Sequence, residues 1–340
     1  MIKKKFRLIV IGGNRLNELY PFKSLIELSS KYNFELFILT ENVHLKKKIS
    51  YDNSNFQNFL EKFKVKYFKI KNYKHLHNSI KKIGCDSKTF ILLANSIFFI
   101  KNDLISLANQ NIYNLHVGKL PEQRGAGVTT WQFMSGMNYS AVTIHKVKVS
   151  LDTGNIILQK KFSSKNLQKP IDFYKKAVVY EKIILEEFVS RIIKNKKFRE
   201  IKQNESDSIY MPRIDTNTHS YINWQWTKDE ILNFIKAFDK PFNGARTFLN
   251  KKKCTLTNAK IIKSPIKFHP YQSGVIVREY NNFFYIAVNK GILKVNISLV
   301  SGQKPKSIIG KRLHTPIKIL ESALTSSAHH KPNSIVIKKN

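Results

Sequence analysis

Apolar runs and amphipathic stretches alternate along residues 6–116 of the chain. Short apolar runs rich in β-branched and aromatic residues predict buried strands, at residues 6–11, 34–39, 65–70, 90–94 and 112–116. Between them, amphipathic segments predict helices, at residues 21–31, 55–63, 75–83 and 101–108. This alternation is typical of βαβ units and predicts an open, mostly parallel, Rossmann-like α/β sheet.

The pattern changes after the fifth predicted strand. Residues Ala141–Val147 alternate apolar and polar side chains, and Asn155–Phe162 do so more loosely. These segments predict an antiparallel pair of strands joined by a turn at Ser150–Gly154. The longest helical pattern follows over Pro170–Asn195, where the proline suits the first turn of a helix. We assign residues 1–196 to one domain.

A second unit begins near residue 223. Residues 197–222 lack a clear period, and we interpret them as a linker. A capping box at Thr227 and Glu230 predicts the start of a helix with one buried face, made of Ile231, Phe234, Ile235 and Phe238. Short strands and turns over residues 246–300 predict a small β-rich, OB-like barrel. We therefore assign residues 223–317 to a second domain and 318–340 to a tail.

Composition narrows the class of protein. The 340 residues carry a net charge of +36, which would attract polyanions such as tRNA or anionic lipid. The basic residues are scattered and are mostly lysine, so a compositional bias explains the charge equally simply, and we favour that explanation. With no apolar run of membrane-spanning length and only Cys85 and Cys254 as cysteines, we expect a cytoplasmic protein without membrane insertion.

Candidate chemistry lies where the predicted strands end. Gly12-Gly13-Asn14 follows the first strand but is not the dinucleotide-binding fingerprint, so a nicotinamide cofactor is not expected. Asn114 and His116 lie two residues apart at the end of the fifth strand, so their side chains share one face. Open α/β sheets place their sites at these carboxyl ends. Asp152 lies in the turn of the antiparallel pair, although each residue alone also has an ordinary structural explanation.

These residues together form a recognisable set of motifs. Asn114 and His116 form an N-x-H motif, a loop with Leu120-Pro121 follows, and Leu151-Asp152-Thr153-Gly154 comes later. The chain resembles the formyltransferases that use 10-formyltetrahydrofolate, which include methionyl-tRNA formyltransferase, sugar N-formyltransferases and glycinamide ribonucleotide formyltransferase. Residues 222–226 and 237–245 also resemble the start of the C-terminal domain of methionyl-tRNA formyltransferase.

The resemblance implies transfer of a formyl group to a primary amine without a metal. Asn114 would donate a hydrogen bond to the developing oxyanion, which is worth about 10²- to 10³-fold in rate. His116 would take or relay a proton, for about 10²- to 10⁴-fold. Asp152 would orient His116 and accept the proton of the amine.

The resemblance also implies where the folate would bind. It would lie along the loop after the fourth strand and against the segment that precedes Asp152. The residues implied are Asn95, Phe98, Leu120, Pro121 and Val149. Two departures weaken the match, since Asn95-Ser96 replaces a usual Tyr-Gly and Gly118-Lys119 replaces Ser-Leu.

The amine that accepts the formyl group is less well determined. Residues 40–48 contain three lysines but lack the Gly-Arg-Gly segment with which the translation enzyme enters the tRNA acceptor stem. We therefore favour a small acceptor, an amino sugar carried on a nucleotide for a surface polysaccharide, against which Trp131 could stack. Three alternatives stay open: Met-tRNA as acceptor, water as acceptor in a hydrolase, and a non-catalytic nucleic-acid-binding module. The oligomeric state is not predicted.

Overall fold

The structure is a computed structural model, and it describes residues 6–13, 21–48, 54–299, 302–306, 308–331 and 334–339. The first domain contains the strands β1 (Arg7–Gly12), β2 (Glu35–Glu41), β3 (Lys66–Ile70), β4 (Thr89–Ala94), β5 (Ile112–Val117), β6 (Arg124–Gly125), β7 (Tyr139–Lys146) and β8 (Ile156–Ser163). Its helices are α1 (Phe22–Tyr32), α2 (Asn42–Leu45), α3 (Phe56–Lys62), α4 (Tyr73–Ile83), α5 (Asn102–Leu107), α6 (Val128–Met134) and α7 (Pro170–Ile193).

Seven of these strands form one sheet in the order β3-β2-β1-β4-β5-β7-β8. The pairs from β3 through β5 are parallel, whereas β5 with β7 and β7 with β8 are antiparallel. The chain therefore adds β2 and β3 on one side of β1 and later adds β4 and β5 on the other side. The prediction of a mostly parallel Rossmann-like sheet is confirmed.

Strand β1 shows why this sheet lies inside the domain. Leu8 and Val10 enter one apolar core with residues of α1 and α7, and Ile9 and Ile11 enter a second core with residues of α4 and α5. All four side chains are fully buried. Helices cover both faces because the strand is apolar on both faces, as parallel sheets require.

The second domain is a β-rich unit with one packed helix. Its elements are α9 (Lys228–Ala237), β10 (Ala245–Leu249), β11 (Lys252–Ile262), β12 (Ile276–Tyr280), β13 (Phe283–Val288), β14 (Gly291–Leu299) and β15 (Leu313–His314). They form an antiparallel sheet in the order β12-β13-β14-β11-β10-β15. Backbone hydrogen bonds from Ile276 to Lys311 and from Leu313 to Gly274 join the two edges, so the sheet curls into a barrel. The predicted capping box at Thr227 and Glu230 is present.

The segment interpreted as a linker has structure of its own. Strand β9 (Tyr210–Met211) pairs with β6, and helix α8 (Thr216–His219) follows it. The segment predicted to be a tail contains helix α10 (Ile317–Leu324) and the strands β16 (Ser326–Lys331) and β17 (Ser334–Lys339), which pair with each other. These elements are two to eight residues long, which is too short to show a clear period, and the sequence therefore did not predict them.

The two domains also contact each other directly. Phe133 and Met134 of α6 pack against the core of the second domain, beside α9. Within the described ranges, no helix is long and apolar enough to cross a membrane.

Candidate active site

The three residues of the predicted triad lie together at the carboxyl end of β5. The Asn114 amide donates a hydrogen bond from Nδ2 to Asp152 Oδ1 over 3.1 Å. His116 Nδ1 lies 3.7 Å from the other carboxylate oxygen, Asp152 Oδ2. The structure thus brings the two ends of the motif set, 38 residues apart in sequence, into direct contact.

The backbone around Asp152 is held in one position by several contacts. Asp152 has a left-handed φ of 54°, and its Oδ2 accepts a hydrogen bond of 2.9 Å from the backbone N–H of Gly125. Gln203 donates from Nε2 to the carbonyl oxygens of Asp152 and Gly154, each over 2.7 Å. A side chain at Gly154 would place its Cβ 1.7 Å from the carbonyl oxygen of Lys146. The turn is therefore shaped by glycine and anchored by Gln203.

A second histidine, His145, belongs to this cluster and was missed in the sequence. It lies opposite Asn114 in the β5–β7 register and is 2% exposed. Its Nε2 is 3.1 Å from Asn114 Nδ2 and 3.3 Å from Asp152 Oδ1. Its Nδ1 donates to the carbonyl of Lys146 over 2.7 Å, since a carbonyl oxygen only accepts. The sequence signal was a single histidine in an alternating strand, which is usually structural.

His116 is oriented by a backbone contact. Its Nε2 donates to the carbonyl of Gln123 over 2.6 Å, so its Nδ1 is the nitrogen that faces Asp152. Gly118 leaves room for this ring, because a Cβ there would lie 2.5 Å from His116 Nε2. Gly118, which departs from the family pattern, therefore leaves the space that the His116 ring occupies.

Charge in the cluster is concentrated on Asp152. Burial alone would raise the pKa of this 7% exposed carboxyl, but His116, His145 and the Gly125 N–H stabilise the carboxylate and hold its pKa well below its usual range. Asp152 is therefore ionised at neutral pH. A fixed negative charge thus lies beside two imidazoles, which is an arrangement suited to proton transfer.

The segment interpreted as a linker also supports the site. Arg124 is buried and donates two hydrogen bonds to Glu205, at 2.8 and 2.9 Å, and two to Gln203 Oε1. Arg213 follows β9. Its neighbours Pro212 and Ile214 lie against Gly127, because a Cβ at Gly127 would lie 3.5 Å from the Pro212 carbonyl oxygen and 3.6 Å from the Ile214 backbone nitrogen. Burial lowers the pKa of Arg213, and no ion pair of this side chain is found in the part of the chain that the structure describes.

The predicted folate residues lie in different surroundings. Asn95 and Phe98 line one pocket at the ends of β1, β2 and β4, where Asn95 Nδ2 donates to the Gly13 carbonyl over 3.2 Å. Leu120 is 2% exposed as a whole residue, and its carbonyl oxygen accepts a hydrogen bond from Gln159, so it is buried beside Pro121. Val149 is 55% exposed, three positions before Asp152. Among the described residues, no group of three or more His, Cys, Asp or Glu side chains could hold a metal ion.

Comparison with known families agrees with this geometry. The family model for formyl transferase matches residues 55–189, and the model for the formyl transferase C-terminal domain matches residues 216–309. The chain belongs to the formyltransferase family. The two matches follow the order of the two structural domains and together cover more than half of the 340 residues.

Curated relatives share about a quarter to a third of the aligned residues. The bifunctional polymyxin resistance protein ArnA of Wigglesworthia glossinidia brevipalpis is 26% identical over 268 residues, which are 74% of this chain and 39% of that protein. Methionyl-tRNA formyltransferase of Fervidobacterium nodosum is 30% identical over 167 residues, 49% of this chain and 52% of that protein. The chain thus spans about two fifths to half of the length of these relatives.

Solved structures share the fold over most of the chain. WlaRD, a sugar 3N-formyl transferase solved with dTDP and 5-N-formyl-THF, superposes with a TM-score of 0.62 at 21% identity, over 88% of this chain and all of that one. The N-formyltransferase from Helicobacter canadensis, in complex with folinic acid and dTDP-3-aminofucose, superposes with a TM-score of 0.63 at 21% identity, over 86% and 99%. The predicted formyltransferase fold is confirmed.

Proposed function

We propose that this protein transfers the formyl group of 10-formyltetrahydrofolate to a primary amine. The observation that carries the proposal is the contact of Asn114, His116 and Asp152 at the carboxyl end of β5, in a family of formyltransferases. In the reaction, the amine nitrogen bonds to the formyl carbon and the bond from that carbon to N10 breaks. The amine loses a proton, and the leaving N10 gains one.

Each side chain has a task that its geometry allows. Asp152 is a buried carboxylate that can receive the amine proton directly, or through Nδ1 of His116 at 3.7 Å. His116 then returns a proton to the leaving nitrogen. Asn114 donates an amide N–H to the formyl oxygen as that oxygen gains negative charge.

His145 controls how many hydrogens Asn114 has free for this task. When His145 is neutral, its Nε2 accepts one Asn114 hydrogen while Asp152 accepts the other. When His145 is protonated, its Nε2 instead donates to Asp152 Oδ1, 3.3 Å away. One hydrogen of Asn114 is then released for the oxyanion. We assign His145 a positioning role on this basis.

The donor would lie beside the triad. The proposed folate contacts remain Asn95, Phe98, Leu120, Pro121 and Val149. The exposed Val149 and the half-buried Phe98 supply apolar surface on two of the loops that surround the site. In support, WlaRD and the Helicobacter canadensis enzyme were solved with a folate derivative bound.

We favour a nucleotide-linked amino sugar as the acceptor. The segment after β2 forms the short helix α2, which Leu45 anchors in the core, and Lys48 pairs with Asn55. A segment anchored at these two points is less suited to entering a tRNA acceptor stem than a glycine-rich loop. The structural neighbours that hold dTDP or a dTDP-amino sugar agree with this choice.

Met-tRNA is the second candidate for the acceptor. Methionyl-tRNA formyltransferases are among the relatives, and the barrel domain matches the family's C-terminal model. Arg213, a cation that burial partly desolvates and whose chain neighbours lie against Gly127, suits the phosphates of either acceptor. The cytoplasm remains the proposed location, in keeping with the free thiols of Cys85 and Cys254.

The test is release of tetrahydrofolate from 10-formyltetrahydrofolate. Parallel reactions contain nucleotide-linked amino sugars, Met-tRNA, or no acceptor. We expect release only with an amino sugar. Release only with Met-tRNA would assign the protein to translation, and release without acceptor would make it a hydrolase. No release and no folate binding would overturn the proposal and leave a non-catalytic binding module.

A further inference from the structure

A small pocket lies at the carboxyl ends of β1, β2 and β4, and its β4 side contains Asn95 and Phe98, which are among the proposed folate contacts. It is lined by Gly12, Leu39, Thr40, Glu41, His44 and residues 95–98. Strands β2 and β4 lie on opposite sides of β1, so the pocket lies at the topological switch point of the sheet. Open α/β sheets bind their ligands in the crevice at this point.

Glu41 is the unusual residue of this pocket. It is 3% exposed, and its Oε1 accepts no hydrogen bond from any described residue. Its Oε2 lies 3.7 Å from His44 Nε2. Thr40 Oγ1 beside it is also buried without a hydrogen-bond partner in the described ranges. Buried carboxylate and hydroxyl oxygens are costly unless hydrogen bonded, so this pair indicates a ligand that donates hydrogen bonds.

The walls of the pocket are shaped around this carboxylate. The His44 ring occupies the space beside Gly13, where a Cβ would lie 2.2 Å from the ring. A Cβ at Gly12 would lie 1.8 Å from the carbonyl oxygen of Ala94. Glycine at position 12 therefore allows β1 to lie close to β4, and glycine at position 13 leaves space for the His44 ring beside the pocket.

The position of Glu41 argues against the folate as its ligand. Glu41 ends β2, which is three strands from β5 in the sheet order, or roughly 14 Å at the usual strand spacing. The pterin of the folate is joined to N10 through one carbon, so it lies close to the reacting formyl group. The glutamate end of the folate reaches further, but it carries carboxylates that Glu41 would repel.

The two neighbouring hydroxyls of a ribose fit both the position of Glu41 in the sheet and the need of its carboxylate for hydrogen-bond donors. In dinucleotide-binding folds, an acidic side chain about 20 residues after the glycine-rich turn receives the ribose 2′-hydroxyl. Glu41 is likewise an acidic residue that follows a Gly-Gly turn, here at the end of β2. Neighbouring hydroxyls are neutral donors, and a sugar nucleotide extends far enough from its amine to reach this pocket.

We propose that this pocket binds the ribose of a ribonucleoside diphosphate that carries the acceptor amine, with Glu41 accepting hydrogen bonds from its hydroxyls. This inference rests on the proposed function, because it names the carrier of the amine. It makes the enzyme selective for ribonucleotides over deoxyribonucleotides. It does not specify the base.

Binding of matched nucleotide pairs tests the proposal without catalysis. Calorimetry would measure the Kd of UDP, GDP and CDP against dUDP, dGDP and dCDP, for the full chain and for Glu41→Gln, Glu41→Ala and Glu27→Gln. Glu27 is exposed on α1, so its variant controls for loss of one carboxylate from the same domain. 5-formyltetrahydrofolate is titrated into every variant.

We expect at least one ribonucleotide to bind about 10-fold or more tighter than its deoxy form, the scale of a hydrogen bond to a charged group. Glu41→Ala should remove this preference, Glu41→Gln should reduce it, and Glu27→Gln should retain it. The Kd of 5-formyltetrahydrofolate should not change.

Three results would overturn the proposal. They are equal binding of ribo and deoxy forms, no nucleotide binding, and a weaker Kd for 5-formyltetrahydrofolate alone in the Glu41 variants. Formyl transfer in the separate release assay would survive each of these results. A failure of the pocket assignment is therefore distinguishable from a failure of the proposed reaction.

Discussion

At the scale of single residues, the site depends on how the hydrogens of one amide are shared. Asn114 lies within 3.1 Å of both Asp152 and His145. A neutral amide can serve an oxyanion only if one of these partners stops accepting. The number of hydrogens that Asn114 has free therefore depends on which of its two neighbours accepts from it.

Replacing Asn114 by alanine tests the oxyanion role. We expect kcat to fall about 10²- to 10³-fold with a small change in KM, because the amide acts mainly on the charged intermediate. Asn78→Ala, on an exposed face of α4, is the matched control and should retain full activity. Steady-state kinetics with the identified acceptor provide the measurement. A change confined to KM would contradict the role.

Glu41 makes the stability of the protein depend on pH. Burial raises its pKa from 4.5 to about 7, so between these values the folded state holds a proton that the unfolded state releases. Stability therefore falls as pH rises from about 4.5 to about 7 and is level above that range, as far as this group is concerned. The loss is on the order of 3 kcal/mol.

Glu41→Gln should remove this dependence. We expect the variant to match the wild type near pH 4 and to be more stable at pH 8 by up to about 3 kcal/mol, in urea unfolding followed by circular dichroism. The nearest described titratable group is His44, and it is present in both proteins. A stability difference that is the same at both pH values would show that Glu41 is not the cause.

At the scale of elements, the turn between β7 and β8 positions Asp152, the proposed catalytic carboxylate. Gln203 holds the carbonyls of Asp152 and Gly154, while Gly125 holds the carboxylate itself. These three hydrogen bonds come from two segments, at Gly125 and at Gln203, that are distant from the turn in sequence. Movement of the turn would consequently displace Asp152 from both histidines together.

Gly154→Ala tests this arrangement. The new Cβ would overlap the Lys146 carbonyl oxygen at 1.7 Å, so the turn must shift. We expect kcat to fall at least about 10-fold, because small displacements of catalytic groups are costly. In the control Gly291→Ala, the Cβ meets the flexible Lys228 side chain at 3.0 Å, and activity should be retained. Full activity of Gly154→Ala would show that the turn is adaptable.

At the scale of the whole molecule, the barrel domain is packed against the catalytic domain through α6. This helix starts directly after the Gly125–Gly127 loop, and its Phe133 and Met134 contact the core of the second domain. The barrel thus supports the segment that supplies the Gly125 N–H to Asp152.

Phe133→Ala should therefore affect stability and catalysis together. We expect a loss of about 2 to 4 kcal/mol in the free energy of unfolding, at the scale of truncating a packed aromatic ring. A lower kcat should accompany it at temperatures where the variant is folded. Thermal unfolding and kinetics at 15 °C separate the two effects. Phe63→Ala, which truncates a half-exposed ring that packs on Phe59 in the first domain, is the control and should lower stability less and leave kcat unchanged.

The sequence by itself determined the parallel sheet and the barrel domain, and it singled out the three residues of the proposed catalytic triad. Buried strands and amphipathic helices carry their period locally, and Asn114, His116 and Asp152 lie within recognisable motifs. Tertiary structure alone decided the rest of the site. His145, Gln203 and Glu41 have no informative neighbours in sequence, and they acquire their roles only when strand pairing and burial bring them to Asn114, to the Asp152 turn and into the pocket. Strand register and desolvation depend on contacts between distant segments, and a local pattern of residues does not encode them.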